Sequence, residues 1–252
     1  GDETTLALGG MTIYRRPVAF IYALLRRPKR PHNLTLLAFT AGYECDLLVG
    51  AGCVRDVRTV YFGLESFGFA PMYTQAAQKG LIQTIEETEA SLSMGMRARM
   101  SGVGFMPSRA WIGTDLPRLR PDVKQIEDPY TGEMLMAFPA IGCDVAVLHA
   151  VETDLTGNVK LNNNLGVDLE LIYISDLVIV TTDRIVDHVQ RDSEGFIVPA
   201  QGIDYVVHVP NGAHPTSCYP LYPVAGGEIL RYIDACNEGN FDNYLTSVIS
   251  SP

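Results

Sequence analysis

Gly9-Gly10 follows an apolar run and precedes a helical one, which puts the pair at a strand-to-helix turn. With no Cβ in the way, backbone there can approach an anion or an oxyanion closely, at the place where ligands meet an open α/β sheet. A Gly-Gly in that position also closes a tight turn. The spacing is neither G-x-G-x-x-G nor G-x-x-x-x-G-K-[ST], so dinucleotide and nucleotide-phosphate loops are excluded. Arg15-Arg16 comes next, and arginine pairs bidentately with carboxylate and phosphate groups; exposed basic residues beside a helix start read the same way. Two carboxylates stand where strands end. Glu89 closes Glu86-Glu87-Thr88-Glu89 and opens a helix. Its place in the first turn suits the helix macrodipole, and a carboxylate at a strand's carboxyl edge becomes a general base once burial raises its pKa. Glu65, in Phe62-Gly63-Leu64-Glu65-Ser66-Phe67-Gly68, can reach the same edge or cap the amides that follow it.

The elements that must hold these residues alternate. Residues 4–8, 34–39, 57–62 and 81–85 read as strands, and 17–27, 45–50, 71–79 and 89–100 as the helices between them. Such alternation marks βαβ units and an open, mostly parallel sheet with helices on both faces. Pro129-Tyr130-Thr131-Gly132 is a turn feeding residues 133–138, one arm of a hairpin. The runs 144–150 and 177–182 are almost wholly apolar, as central strands are. Residues 228–238 and 240–249 close the chain as two helices parted at Gly239. No linker-like stretch divides residues 1–252, which are read as one α/β domain.

Composition removes several function classes. Nineteen Lys and Arg against 29 Asp and Glu give a net charge of −10, and the short basic stretch Arg26-Arg27-Pro28-Lys29-Arg30 is a solvated loop, so no nucleic-acid partner is expected. No apolar run reaches the roughly 20 residues of a membrane span, and Gly1-Asp2-Glu3 does not open a signal peptide. The five cysteines are spread without a C-x-x-C pair, which points to a reducing cytoplasm and away from structural zinc. His149 ends an apolar strand as a satisfied core histidine; His188, His208 and His214 lack ligand spacing, and His32 lies in a Pro-rich turn. There is no G-x-S-x-G elbow. Trp111 and the Met94–Met100 stretch read as packing.

One resemblance spans nearly the whole chain. Gly9-Gly10-Met11-Thr12-Ile13-Tyr14-Arg15-Arg16-Pro17 resembles the G-G-F-x-x-x-G-x-P signature of family I coenzyme A transferases, with Met11 for the aromatic and Arg15 for the third glycine. Pro129-Tyr130-Thr131-Gly132-Glu133 resembles N-P-F-T-G-E. Pro139-Ala140, Asp144-Val145-Ala146, His149-Ala150, Asp154 and Gly157-Asn158 follow in the family's order, and Gly212-Ala213-His214-Pro215-Thr216 resembles the G-A-x-P-T of glutaconate-type α subunits.

The resemblance implies an α subunit that works with a similar β subunit, as an αβ pair or a higher heteromer, on an acyl-CoA and a small carboxylic acid. The attacking glutamate then lies in the β subunit's S-E-N-G-type signature, and the reaction runs through an anhydride and a glutamyl-CoA thioester. Asp192-Ser193-Glu194-Gly195 lacks the Asn and is a polar turn. This chain's share would be the pocket wall, with Gly9, Gly10, Met11, Arg15 and Glu65 as candidates for binding substrate or CoA. No metal, flavin or nicotinamide is implied. A branch of the family, the ring-opening hydrolases of steroid breakdown, carries a working glutamate in a D-E-G-M-L segment that Thr88-Glu89-Ala90-Ser91-Leu92 resembles; there, or in a decarboxylase on the same scaffold, Glu89 would be the base. The implied fold also serves sugar-sensing domains of transcription regulators, but those follow a basic helix-turn-helix that this sequence does not show.

Overall fold

A strand that pairs in parallel with its successor needs a crossover, and amphipathic helices supply it. In the computed structural model, which describes residues 2–250, β1 (Thr5–Leu8), α1 (Val18–Leu25), β2 (Leu34–Ala41), α2 (Tyr43–Gly50), β3 (Val54–Phe62), α3 (Pro71–Gln78) and β4 (Gln83–Glu86) alternate as read from the sequence. Gly1, Ser251 and Pro252, included in the one-domain reading, lie outside the described residues. After α4 (Glu89–Met100) the chain builds a small module of β5 (Phe105–Ser108), α5 (Leu116–Leu119), β6 (Lys124–Glu127) and β7 (Met134–Pro139). The hairpin arm expected at 133–138 is β7, and it is the middle strand of an antiparallel three-stranded sheet.

The chain then returns to the main sheet with β8 (Cys143–Asp154), β9 (Val159–Asn162), α6 (Asp168–Ile174), β10 (Ser175–Val186), β11 (Gly195–Val198) and β12 (Tyr205–His208). α7 (Gly226–Asn237) and α8 (Phe241–Ser250) complete it. β1, β2, β3 and β4 run parallel, and so do β1, β8, β10 and β12. β9 and β11 join antiparallel at one side. β8 and β10 extend beyond the apolar runs because they pair with each other from Cys143–Ser175 to Asp154–Val186.

Side chains alternate across the sheet, so Leu6, Leu8 and Leu36 pack with α1, α2, α7 and α8 on one face, while Ala7 and Leu37 meet Leu92 and Met96 of α4 and Leu171 of α6 on the other. The small module has its own core of Trp111, Val123, Met136 and Phe138, with Trp111 edge-on to Phe138 at 5.1 Å. All five cysteines are buried and free. Among the described residues no helix is long and apolar enough to cross a membrane. Because the seven strands are parallel, their carboxyl ends share one edge, and α1, α2, α4 and α6 all start there.

A buried carboxylate ties three helices of the first face together. Asp46 on α2 accepts from the amides of Met72 (3.1 Å) and Tyr73 (2.6 Å) at the start of α3 and from the Tyr232 hydroxyl (2.6 Å) on α7. Burial pushes its carboxyl from 3.8 up to about 6, against the pull of those hydrogen bonds. The folded chain thus holds this proton more tightly than the unfolded one, so the associated stabilisation is full at pH below 3.8 and lost as pH rises through about 6. Measured against D46N, which does not titrate there, stability is expected to fall by roughly 2–3 kcal/mol between about pH 4 and 7. Urea unfolding across that range checks it, and a difference that stays flat or rises would contradict it.

Candidate active site

The loop leaving β1 is built by its own backbone. Gly9 stays in register, its amide donating to the Val147 carbonyl at 2.9 Å. Gly10 turns left-handed at φ 80° and donates its amide to Asp168 Oδ1 at 2.9 Å, in the first turn of α6. Both amides are therefore engaged inside the protein. They are not the open oxyanion donors that a Gly-Gly at this turn suggested. A Cβ on Gly10 would stand 2.5 Å from the Arg15 carbonyl oxygen and 2.7 Å from that of Tyr14, so the glycine admits the chain itself. Met11 is half-buried and pairs with Tyr14 through both backbone groups, at 3.0 and 2.6 Å.

The two arginines also face inward, which corrects their reading as hooks for a carboxylate or phosphate. Arg15 is fully buried; its guanidinium donates to Asn162 Oδ1 (3.0 Å), to the His149 carbonyl (2.6 Å), to the Asn164 carbonyl (3.1 Å) and to Asp168 Oδ1 (2.9 Å). Arg16 holds Glu44 Oε1 at 2.5 and 2.7 Å and the carbonyls of Gly10 and Thr40 at 2.9 and 3.1 Å. Two buried ion pairs thus lock the loop to α6 and to α2. Beside it lies a cleft of about 600 Å³ that includes Tyr14, Asn164, Ser217, Tyr219 and Tyr222 in its lining. A larger concavity of about 920 Å³, between α1 and β12, is mostly apolar and holds no carboxylate.

His149 is the satisfied core histidine its apolar strand indicated. Its Nδ1 meets Thr181 Oγ1 at 2.8 Å and its Nε2 meets Asp183 Oδ2 at 2.7 Å. Burial draws His149 below its usual pKa, with Asp183 pulling the other way, and the Thr181 hydroxyl beside Nδ1 also reaches the Leu148 carbonyl at 3.3 Å. Asp183 also accepts from the Tyr222 hydroxyl at 2.8 Å. Burial works to raise the Asp183 carboxyl, but the His149 hydrogen bond carries it below the ordinary range. Burial holds the Cys218 thiol well above its usual pKa. The donor atoms of His149, Asp183 and Cys218 lie within 4.8 Å of one another, a geometry metals use; here two of the three already share a hydrogen bond, and the group reads as a closed network.

Glu65 and Glu89 both lie at the carboxyl edge and both are exposed. Glu65 sits in a single 3₁₀ turn after β3 with φ 54°. Glu89 opens α4, whose N-cap Thr88 and Ser91 form a reciprocal capping box. The buried carboxylate of that acidic string is Glu87, which sequence reading passed over: it is 3% exposed and pairs with Arg120 at 2.6 Å and Arg58 at 3.3 Å. The signal for it was an inward position one residue after a parallel strand; its closer partner, Arg120, comes from the small module and Arg58 from β3. The structure brings Gly9, Gly10, Met11 and Arg15 into one loop, and leaves Glu65 and Glu89 on the β3–β4 side of the same edge.

A coenzyme A transferase family model matches residues 1–209. A 3-oxoadipate CoA-transferase subunit of Pseudomonas knackmussii is 35% identical over 224 residues, 88% of this chain and 78% of that one. The cholesterol ring-cleaving hydrolase IpdA subunit of Mycobacterium tuberculosis is 28% identical over 239 residues, 86% of this chain and 78% of that one. Among solved structures, the decarboxylase AibA/AibB superposes with a TM-score of 0.89 at 27% identity, covering 99% of this chain and 93% of that one. Glutaconate coenzyme A-transferase from Acidaminococcus fermentans superposes with 0.87 at 25% identity, covering 98% and 83%.

Proposed function

Because the chain belongs to the coenzyme A transferase family, we propose that it is the α subunit of a heteromer that moves CoA from an acyl-CoA to a small carboxylic acid, with the attacking glutamate on the partner. One observation about this chain carries that division of labour. At the loop where the family signature lies, the arginines and the neighbouring histidine are tied inward: Arg15 to Asp168, Arg16 to Glu44, His149 to Asp183. Burial also keeps the Cys45 and Cys218 thiols protonated. The loop is a rigid wall, and no carboxylate lines the cleft beside it.

In the proposed cycle the partner's carboxylate oxygen attacks the thioester carbonyl carbon and the CoA thiolate leaves, giving a mixed anhydride. The thiolate then attacks the glutamyl carbonyl, releases the donor acid and forms glutamyl-CoA, and the acceptor acid reverses the two steps. The cleft beside Tyr14 and Tyr219 is the wall this chain offers to the acyl group.

A second reading is favoured by Glu89, which is exposed on the carboxyl edge and makes no ion pair among the described residues. In a thioester hydrolase or decarboxylase, Glu89 takes a proton from the attacking water or substrate. In both readings Glu89 is the carboxylate this chain brings towards the reacting centre. Co-expression with the β subunit, followed by assay against acetyl-, succinyl- and glutaryl-CoA with and without 3-oxoadipate or glutaconate, separates them. Transfer requires the acid and yields a new acyl-CoA without free CoA; free CoA formed without any acid would establish the hydrolase instead. Work within the cytoplasm, in catabolism of organic acids, fits either chemistry.

A further inference from the structure

The turn from β4 into α4 is held from three sides. Trp111 Nε1 donates to the N-cap Thr88 Oγ1 at 2.8 Å. Arg120 Nη1 donates to Glu87 Oε1 at 2.6 Å and to the Glu86 carbonyl at 2.9 Å, while its Nε and Nη2 grip both oxygens of Asp122 at 2.8 and 2.7 Å. The other Glu87 oxygen accepts the Ser91 hydroxyl, and Ser91 Oγ in turn accepts the Thr88 amide at 2.8 Å. Of the three glutamates in Glu86-Glu87-Thr88-Glu89, one is therefore drawn inward and neutralised, and the cap that follows it is fixed by the same network. Glu89 is left projecting from the first turn of α4, with no ion pair among the described residues.

Arg58 of β3 adds a second cation to Glu87 at 3.3 Å, but the closer guanidinium and the indole both come from the small antiparallel module, which adds nothing to the main sheet. Its core of Trp111, Met136 and Phe138 seats the Trp111 ring, and α5 ends at the residue before Arg120. A guanidinium forked between two carboxylates holds direction as well as charge. We propose that Arg120, seconded by Trp111, is a positioning residue: by holding Glu87 inward it sets the start of α4 and with it the direction of the Glu89 carboxylate at the carboxyl edge of the sheet. The inference rests on the reading of Glu89 as a group that meets substrate. It assigns the inserted module a function, namely to fix the direction of one catalytic carboxylate.

The test uses the intact heteromer and the most active donor and acid pair of the panel above, with E89Q, R120M, R120K, W111F and the double variant E89Q/R120M. E89Q is expected to lower kcat by about 100-fold. R120M is expected to lower kcat by about tenfold or more with KM for the acyl-CoA within about twofold, because aim is lost and binding is not. R120K keeps the charge without the fork and should fall between wild type and R120M. E89Q/R120M should be no more than about threefold slower than E89Q alone, since both losses pass through one carboxylate. W111F removes a single hydrogen bond and keeps a ring against Phe138. It is expected to lower kcat severalfold at unchanged melting temperature, and it carries the test if R120M fails to fold. Losses that multiply in the double variant, or R120M and W111F at wild-type kcat beside an impaired E89Q, would overturn the inference alone. E89Q at wild-type kcat would overturn the reading of Glu89 and the inference with it.

Discussion

Replacing Arg15 with methionine is expected to destabilise the chain by about 3–5 kcal/mol, the range measured when one partner of a buried ion pair is removed. The reason is what remains. Asp168, fully shielded, would be left with only the Gly10 and Gly166 amides to answer it; the His149 and Asn164 carbonyls would lose the guanidinium, and Asn162 Oδ1 would keep only the Asn164 amide. At roughly 2–4 °C per kcal/mol for a chain of this size, the melting temperature should drop by about 10 °C. An arginine that held substrate would behave oppositely, with unchanged melting and a raised KM. A melting temperature within about 2 °C of wild type would contradict the buried-strut account.

The second large effect lies at Gly10. An alanine there takes a left-handed φ of 80°, which costs about 1 kcal/mol by itself. Its methyl group would also stand 2.5 and 2.7 Å from two backbone oxygens. Those oxygens cannot retreat without disturbing Arg15 and its partners, so the total is expected to exceed about 3 kcal/mol. Gly52 is the control: its φ is 71° but nothing lies within 4 Å of a Cβ there, and G52A should cost only about 1 kcal/mol. Equal losses for G10A and G52A in urea unfolding would show that the loop is softer than its geometry says.

Much of the scaffold was legible because its signal is local. The alternation of apolar runs with helical ones fixes parallel βαβ units, and the unbroken run ending in His149 marks a central strand whose histidine has to be satisfied inside. β5 and β6 gave no such signal: Phe105-Met106-Pro107-Ser108 and Lys124-Gln125-Ile126-Glu127 are short and largely exposed, and only pairing with β7 makes them strands. The site was harder to read because its decisive contacts are remote. Arg15 turns inward to meet Asp168, 153 residues on, and a sequence shows the arginine without showing which way it points. In the same way Glu87, rather than Glu89, is the buried carboxylate because Arg58 on β3 and Arg120, 33 residues downstream, both meet it. The Gly-Gly motif was recognisable, but the close neighbour that excludes a Cβ at Gly10 proved to be the chain's own backbone.

The central claim is that this chain frames the reaction while its partner carries the nucleophile. The most direct measurement is intact-mass spectrometry of the copurified heteromer after incubation with acetyl-, succinyl- and glutaryl-CoA. A CoA-sized, borohydride-sensitive adduct is expected on the partner, with none on this chain. An adduct on this chain, or full transfer activity from this chain purified alone, would contradict it.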